Sequence, residues 1–272
     1  MIFGRRKDLD ETLDEIEAAL DAGERDEAVV LARKATRRFP DSPDALGLLG
    51  EALEGARDPA GAVRAYQAAF DLDPAWAGAM ARIASIEIEA GDLGAAREHI
   101  RKAVEIDAGD PDASWVRGIL AEIDGRPREA RERYREAARK DPDRFSDPVR
   151  VSLEDFRAMA ASAVDDLPDE VRAFLGDVPI IIEDMPERDG EGGFSNGAPL
   201  LLGECVGSHL TDRGAMDATS GVPSRIVLYK TNLERECATR EDLEEEIRIT
   251  VLHEVLHWLG LDEEEVAGRG LE

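Results

Sequence analysis

Residues 10–142 repeat with a period of 34, and this constrains the fold more than any other feature of the chain. Ala28, Ala62, Ala96 and Ala130 form one series, and Ala35, Ala69, Ala103 and Ala137 form a second. Gly50, Ala84 and Gly118 keep the same step, as do Gly23, Gly91 and Gly125, with Arg57 standing once in place of glycine. Pro40, Pro74 and Pro142 close repeats, and Ala108 occupies the remaining proline position. Small side chains at fixed points let the two helices of a hairpin approach, and proline marks the passage to the next hairpin. The expected helix pairs are 7–38, 43–72, 76–106 and 110–141. Each pair can bury its apolar face only against a neighbour, so the four form one solenoid.

This period and pattern resemble the tetratricopeptide repeat. The resemblance implies an all-α domain over residues 1–142, with a concave face that docks a protein or peptide. Tyr66, Tyr134, Trp76 and Trp115 fall at helical packing positions and are expected to be structural. His99, in REHIRK, reads as surface decoration, and nothing before residue 142 looks catalytic.

Asp141 to Arg150 (DPDRFSDPVR) carries two prolines and no apolar periodicity, which makes 143–151 the expected linker to a second domain over 152–272. Ser152 suits a helix N-cap, with Glu154 and Asp155 in the first turn and Phe156, Met159 and Val164 facing inward. A short helix from Pro168 to Leu175 and strands at 178–183 and 225–230 should follow. The glycine-rich stretch Glu187 to Gly197 reads as a flexible loop, with a lid over the site as the sharper alternative.

The chemistry concentrates at His253 to His257 (HEVLH), where two of only four histidines stand one helical turn apart. Glu241 to Gly260 begins acidic, carries apolar residues at helical intervals and stops at glycine, so it should be one helix. His253 and His257 then share a face and can reach one zinc ion, with Glu254 able to take a proton from activated water. Zinc in a hydrolytic site takes a third protein ligand and keeps one position open. Glu263, beyond a turn at Gly260, is the expected third ligand, and Asp262 or Glu264 would replace it if the turn differed by one residue. Tyr229 and His209 are candidates to donate to an oxyanion or contact substrate, and an exposed sheet edge could pair with a substrate chain.

A formal charge of -27 argues against nucleic acid as the main partner, because phosphate would be repelled, and favours a cationic peptide or protein surface. Acidic residues outnumber basic ones by 28 to 10 after residue 150, so the second domain is the more acidic. The start, MIFGRRKDLDETL, lacks the apolar core of a secretory signal, and no long apolar run suggests a membrane span, so the cytoplasm is expected. Cys205 and Cys237 are the only cysteines; a disulfide and a reduced pair both stay open, and the expected compartment favours the reduced state.

LEDFRAMAASAVDDLPDEVRAFLGDVPIIIEDMP, then LLGECVG, LTDRG, PSRIVLYK and TVLHEVLHWLGLDEEE, resemble the small bacterial zincin-like metallopeptidases over about residues 150–268. The resemblance implies a compact α+β domain with a small mixed sheet and the active helix across it. It also implies zinc bound by His253, His257 and the acidic residue at 263, with Glu254 as the catalytic carboxylate. One departure is the segment GECVG, where the family commonly carries tyrosine and this chain has Cys205 or Val206. The resulting expectation is a zinc-dependent peptidase whose repeats position its substrate. The alternative is a non-enzymatic adaptor that retains a structural or vestigial metal site.

Overall fold

A computed structural model of the chain describes residues 2–175, 178–188, 194, 198–207 and 225–259. It divides into two compact units, Met1–Phe145 and Ser146–Glu272. The first is an all-α array of four hairpins: α1 (Ile2–Asp21) with α2 (Arg25–Arg38), α3 (Pro43–Gly55) with α4 (Pro59–Leu72), α5 (Ala77–Glu89) with α6 (Leu93–Ile106), and α7 (Pro111–Ile123) with α8 (Pro127–Lys140). α1 thus begins five residues before its expected start.

Local chemistry sets most helix starts. Ser42, Asp58, Asp92 and Asp110 each accept a hydrogen bond from a backbone N–H in the first turn of the helix they cap. Proline opens α3, α4, α7 and α8, where its missing N–H costs nothing. The turn inside each hairpin needs a left-handed residue. Gly23, Gly91 and Gly125 adopt φ between 69° and 78°, and Arg57 takes the same conformation at 57°.

The alanine series lie in the helix interfaces, with Ala28, Ala35, Ala62, Ala69, Ala96 and Ala103 fully buried. Gly50 and Gly118 make room for aromatic rings: a Cβ on either would fall 2.6 Å from Tyr66 or 2.4 Å from Tyr134, well inside contact distance. The Tyr134 hydroxyl donates to Glu122 at 2.8 Å, and Tyr66 donates to Glu54 in the same way one double repeat earlier. Trp76 packs on Gly47 and edge-on to Tyr66, while Trp115 stacks between Tyr134 and Phe145. All four aromatics pack within the array.

The second unit is α+β. α9 (Leu153–Asp165), capped by Ser152, and the short α10 (Asp169–Leu175) precede a three-stranded mixed sheet. β1 (Ile180–Glu183) runs parallel to β3 (Arg225–Tyr229), and β2 (Gly203–Val206) runs antiparallel to β3 on its other side, giving the order β1-β3-β2. α11 (Lys230–Glu236) leaves the end of β3 directly, and α12 (Arg240–Trp258) follows behind a capping box of Thr239 and Asp242. Phe156 of α9, Ile226 and Leu228 of β3, Leu233 of α11 and Leu243, Ile247, Val251 and Val255 of α12 form one core.

The segment expected to be a linker is shared between the units. Arg144 bonds Asp112 and Phe145 packs on Trp115, whereas the Val149 N–H donates to Cys237 and the Val151 N–H to Glu234. Among the described residues, no helix is long and apolar enough to cross a membrane.

Candidate metal centre

α12 turns its apolar face to the core and carries Thr250 and Glu254 toward the sheet, where they are 5% and 8% exposed. The approach to β2 is close because position 203 is glycine. A Cβ there would stand 2.9 Å from Thr250 Cγ2, 3.1 Å from the Val227 carbonyl oxygen and 3.2 Å from Glu254 Cγ. With that gap closed, the Cys205 N–H donates to the Glu254 carboxylate.

One residue before and three after Glu254, His253 and His257 are half-buried and turn their rings together. The ring centroids lie 4.3 Å apart with planes at 81°, and the two Nε2 atoms are 2.9 Å apart. Two nitrogens on a tetrahedral zinc ion are about 3.3 Å apart for bonds of about 2.05 Å. The pair is therefore within a few tenths of an ångström of the spacing that one zinc requires, and the donor set suits that metal.

Burial pushes the Glu254 carboxyl up to about 7, the nearby Glu204 carboxylate adds to the rise, and the Cys205 N–H opposes it. Glu204 itself accepts a hydrogen bond from the Tyr229 hydroxyl across the sheet. Burial first, then Glu254 and Glu204, pushes the Cys205 thiol up to about 11. Cys237 rises to about 12, chiefly by burial, and both cysteines are free thiols.

His253, Glu254 and His257 thus come together on one helix, and Tyr229 sits at the end of β3, 2% exposed and bonded to Glu204. Glu263, the alternative ligands Asp262 and Glu264, and His209 lie outside the described residues. Among the described residues no third histidine, cysteine, aspartate or glutamate completes a metal cluster. The loop expected at Glu187–Gly197 is described in part, where Arg188 and Phe194 form an antiparallel bridge.

Several residues that build this site carry no signal of their own in the sequence. Asn232, fully buried in α11, donates from Nδ2 to the carbonyls of Pro199 at 3.0 Å and Leu201 at 2.7 Å, clamping the run into β2. Arg235 in turn donates to Asn232 Oδ1 at 3.0 Å. Glu234, 2% exposed, gathers Lys230, Arg150 and the Val151 N–H. Gly203 gave no signal either, because its neighbours Thr250 and Glu254 are remote in sequence.

Residues 175–271 match the family model for zincin-like metallopeptidases. Residues 13–75, 50–111 and 82–145 match a tetratricopeptide-repeat model. The chain joins a tetratricopeptide-repeat array to a zincin-like metallopeptidase domain. The zincin-like match begins at the end of α10, so α9 lies before it, and the repeat match ends at Phe145, where the first unit ends.

No curated protein matches the chain. Among solved structures it is similar to MamA, with 23% identity and a TM-score of 0.40 over 49% of this chain and 78% of that one. It is also similar to pilF of Pseudomonas aeruginosa, with 22% identity and a TM-score of 0.44 over 52% and 64%. A third likeness is to the Cut9-Hcn1 tetramer of APC/C, with 15% identity and a TM-score of 0.46 over 58% and 29%. These likenesses carry nothing about function.

Proposed function

We propose that this chain is a zinc-dependent peptidase in which the repeats hold a protein or peptide substrate for the zincin-like domain. One observation carries the reading: a single helix turns two imidazole Nε2 atoms to within 2.9 Å and holds a buried carboxylate, Glu254, beside them. His253 and His257 would hold the ion, with Glu263 as the proposed third ligand. Zinc, when bound, would supply Lewis-acid activation of water and polarisation of the scissile carbonyl.

The protein's own part is to position and move a proton. The Cys205 N–H orients the Glu254 carboxylate. Glu254 takes the proton as water attacks the carbonyl carbon, and returns it to the leaving amine nitrogen. Tyr229 can donate to the oxyanion only after releasing Glu204, and His209 is the other proposed donor. The outer edge of β2 is the place for an extended substrate. The free thiols of Cys205 and Cys237 support a cytoplasmic location, and the charge of -27 disfavours nucleic acid as a partner.

A second reading is an adaptor whose repeats bind a protein and whose zincin-like domain keeps a structural or vestigial metal site. The described residues bring together two metal-ligating side chains and no third, and the repeat match supports protein binding. The comparisons support this coarser role more directly than they support hydrolysis.

Two measurements separate the readings. The peptidase reading expects about one zinc per chain, lost in the His253→Ala, His257→Ala double variant, and cleavage of an unfolded protein such as casein. Glu254→Gln should keep the metal and lower turnover by at least about a hundredfold. Equal residual turnover in wild type and Glu254→Gln would leave the adaptor.

A further inference from the structure

The repeats enclose a groove of about 510 Å³ between α1, α3, α4, α5 and α7, closed by Arg144. Its apolar lining comes from Leu13, Leu20, Leu48 and the half-buried Trp76. Five carboxylates line it against two guanidinium groups.

The distribution of those charges decides what the groove can take. Arg82 is committed to Glu54 at 2.8 Å and is also bonded to the Tyr66 hydroxyl. Arg144 is committed to Asp112 and Asp141. Both cations therefore already have anionic partners. On the opposite rim, Glu17, Asp21, Asp44 and Glu51 are exposed and make no ion pair or side-chain hydrogen bond. An acidic segment would meet four uncompensated carboxylates and no available cation. A basic one would supply the missing counter-charges, and the leucines and Trp76 would cover an apolar side chain between them.

From this complementarity we infer that the groove docks a protein segment in which one or two bulky apolar residues are flanked on both sides by lysine or arginine. The inference rests on the reading of the repeats as a docking module and adds the chemistry of the partner. It is independent of any hydrolytic step, since every residue it uses lies in the first unit.

The test uses the full chain and three fluorescent nonapeptides. One has a central Leu-Phe flanked by lysines, the second replaces the lysines by glutamates, and the third keeps the lysines but replaces Leu-Phe by Ser-Gly. Anisotropy titrations should show the basic apolar peptide binding at least about tenfold more tightly than either of the others. Its affinity should fall as salt rises from 50 to 300 mM. The Glu17→Gln, Asp21→Asn, Glu51→Gln triple variant changes only exposed side chains, and should lose about tenfold for that peptide.

Tighter binding of the acidic peptide, or an unchanged affinity in the triple variant, would overturn the basic partner while leaving a docking repeat array. Displacement by spermine as effective as by the unlabelled peptide would reduce the groove to a charge sink and overturn the peptide assignment. Failure of all three peptides to bind would overturn the inference, while zinc content and casein cleavage would still decide the peptidase reading on their own.

Discussion

Glu254 is costly to the fold before it is useful to it. Its carboxyl, raised to about 7 mainly by burial, binds a proton more tightly in the folded chain than in the unfolded one, where it sits near 4.3. Between those two values the folded state holds the extra proton, so stability falls as pH rises through about 4.5 to 7 and then levels off. For chelator-treated protein, Glu254→Gln should remove that part of the pH dependence and be more stable than wild type at pH 8 by on the order of 3 kcal/mol. Urea titrations of both proteins at pH 5 and pH 8 give the comparison, and equal differences at the two pH values would contradict it. Gly203 works at the same scale. Gly203→Ala should push α12 from β2, cost roughly 1–3 kcal/mol and lower turnover more than metal content. His253, Glu254 and His257 were legible in the sequence because their relationship is local, four residues on one helix. Gly203 and Asn232 were illegible because what they touch lies some 30 to 50 residues away, and no local pattern records it.

At the scale of elements, legibility followed period. Eight helices over residues 2–140 repeat their capping residues, their alanines and their left-handed turns, and each repetition reinforces the others. β2 is four residues, Gly-Glu-Cys-Val, with no apolar alternation, and exists because β3 offers it a ladder. α11 was hidden differently: the strand reading ran on to Lys230, where the chain has already turned helical. Its Asn232 then holds β2 in place from behind. Asn232→Ala strips a bond from two carbonyls and from the buried Arg235, so it should cost about 2–3 kcal/mol. It should also speed hydrogen exchange at the Cys205 amide; unchanged protection there would show that β2 does not depend on the clamp. In the repeats, Arg57 carries strain that its glycine counterparts avoid. Arg57→Gly should raise the melting temperature of the array, by up to about 1 kcal/mol of backbone strain relieved.

For the whole molecule, two units with separate cores predict two unfolding events. A metal chelator should lower the transition reported by the second unit and leave the repeat transition in place, because zinc stabilises only what it binds. Calorimetry with and without EDTA measures this, and a single transition shifted as one would contradict it. The division itself was legible as a proline-bearing stretch, but its position was blurred. Arg144 and Phe145 are claimed by the repeats and Val149 by the second unit, through partners that composition does not reveal.

The strand order β1-β3-β2 puts the last strand synthesised in the middle of the sheet. Each repeat hairpin can close as soon as it leaves the ribosome, whereas residues 180–183 and 203–206 must wait for 225–229 before either has a ladder. Glu254 is made later still, so the amide that orients it is in place only once the sheet has formed. A nascent chain would therefore present its docking groove well before its histidine helix, and a captured partner would meet no half-assembled cutting edge in the interval.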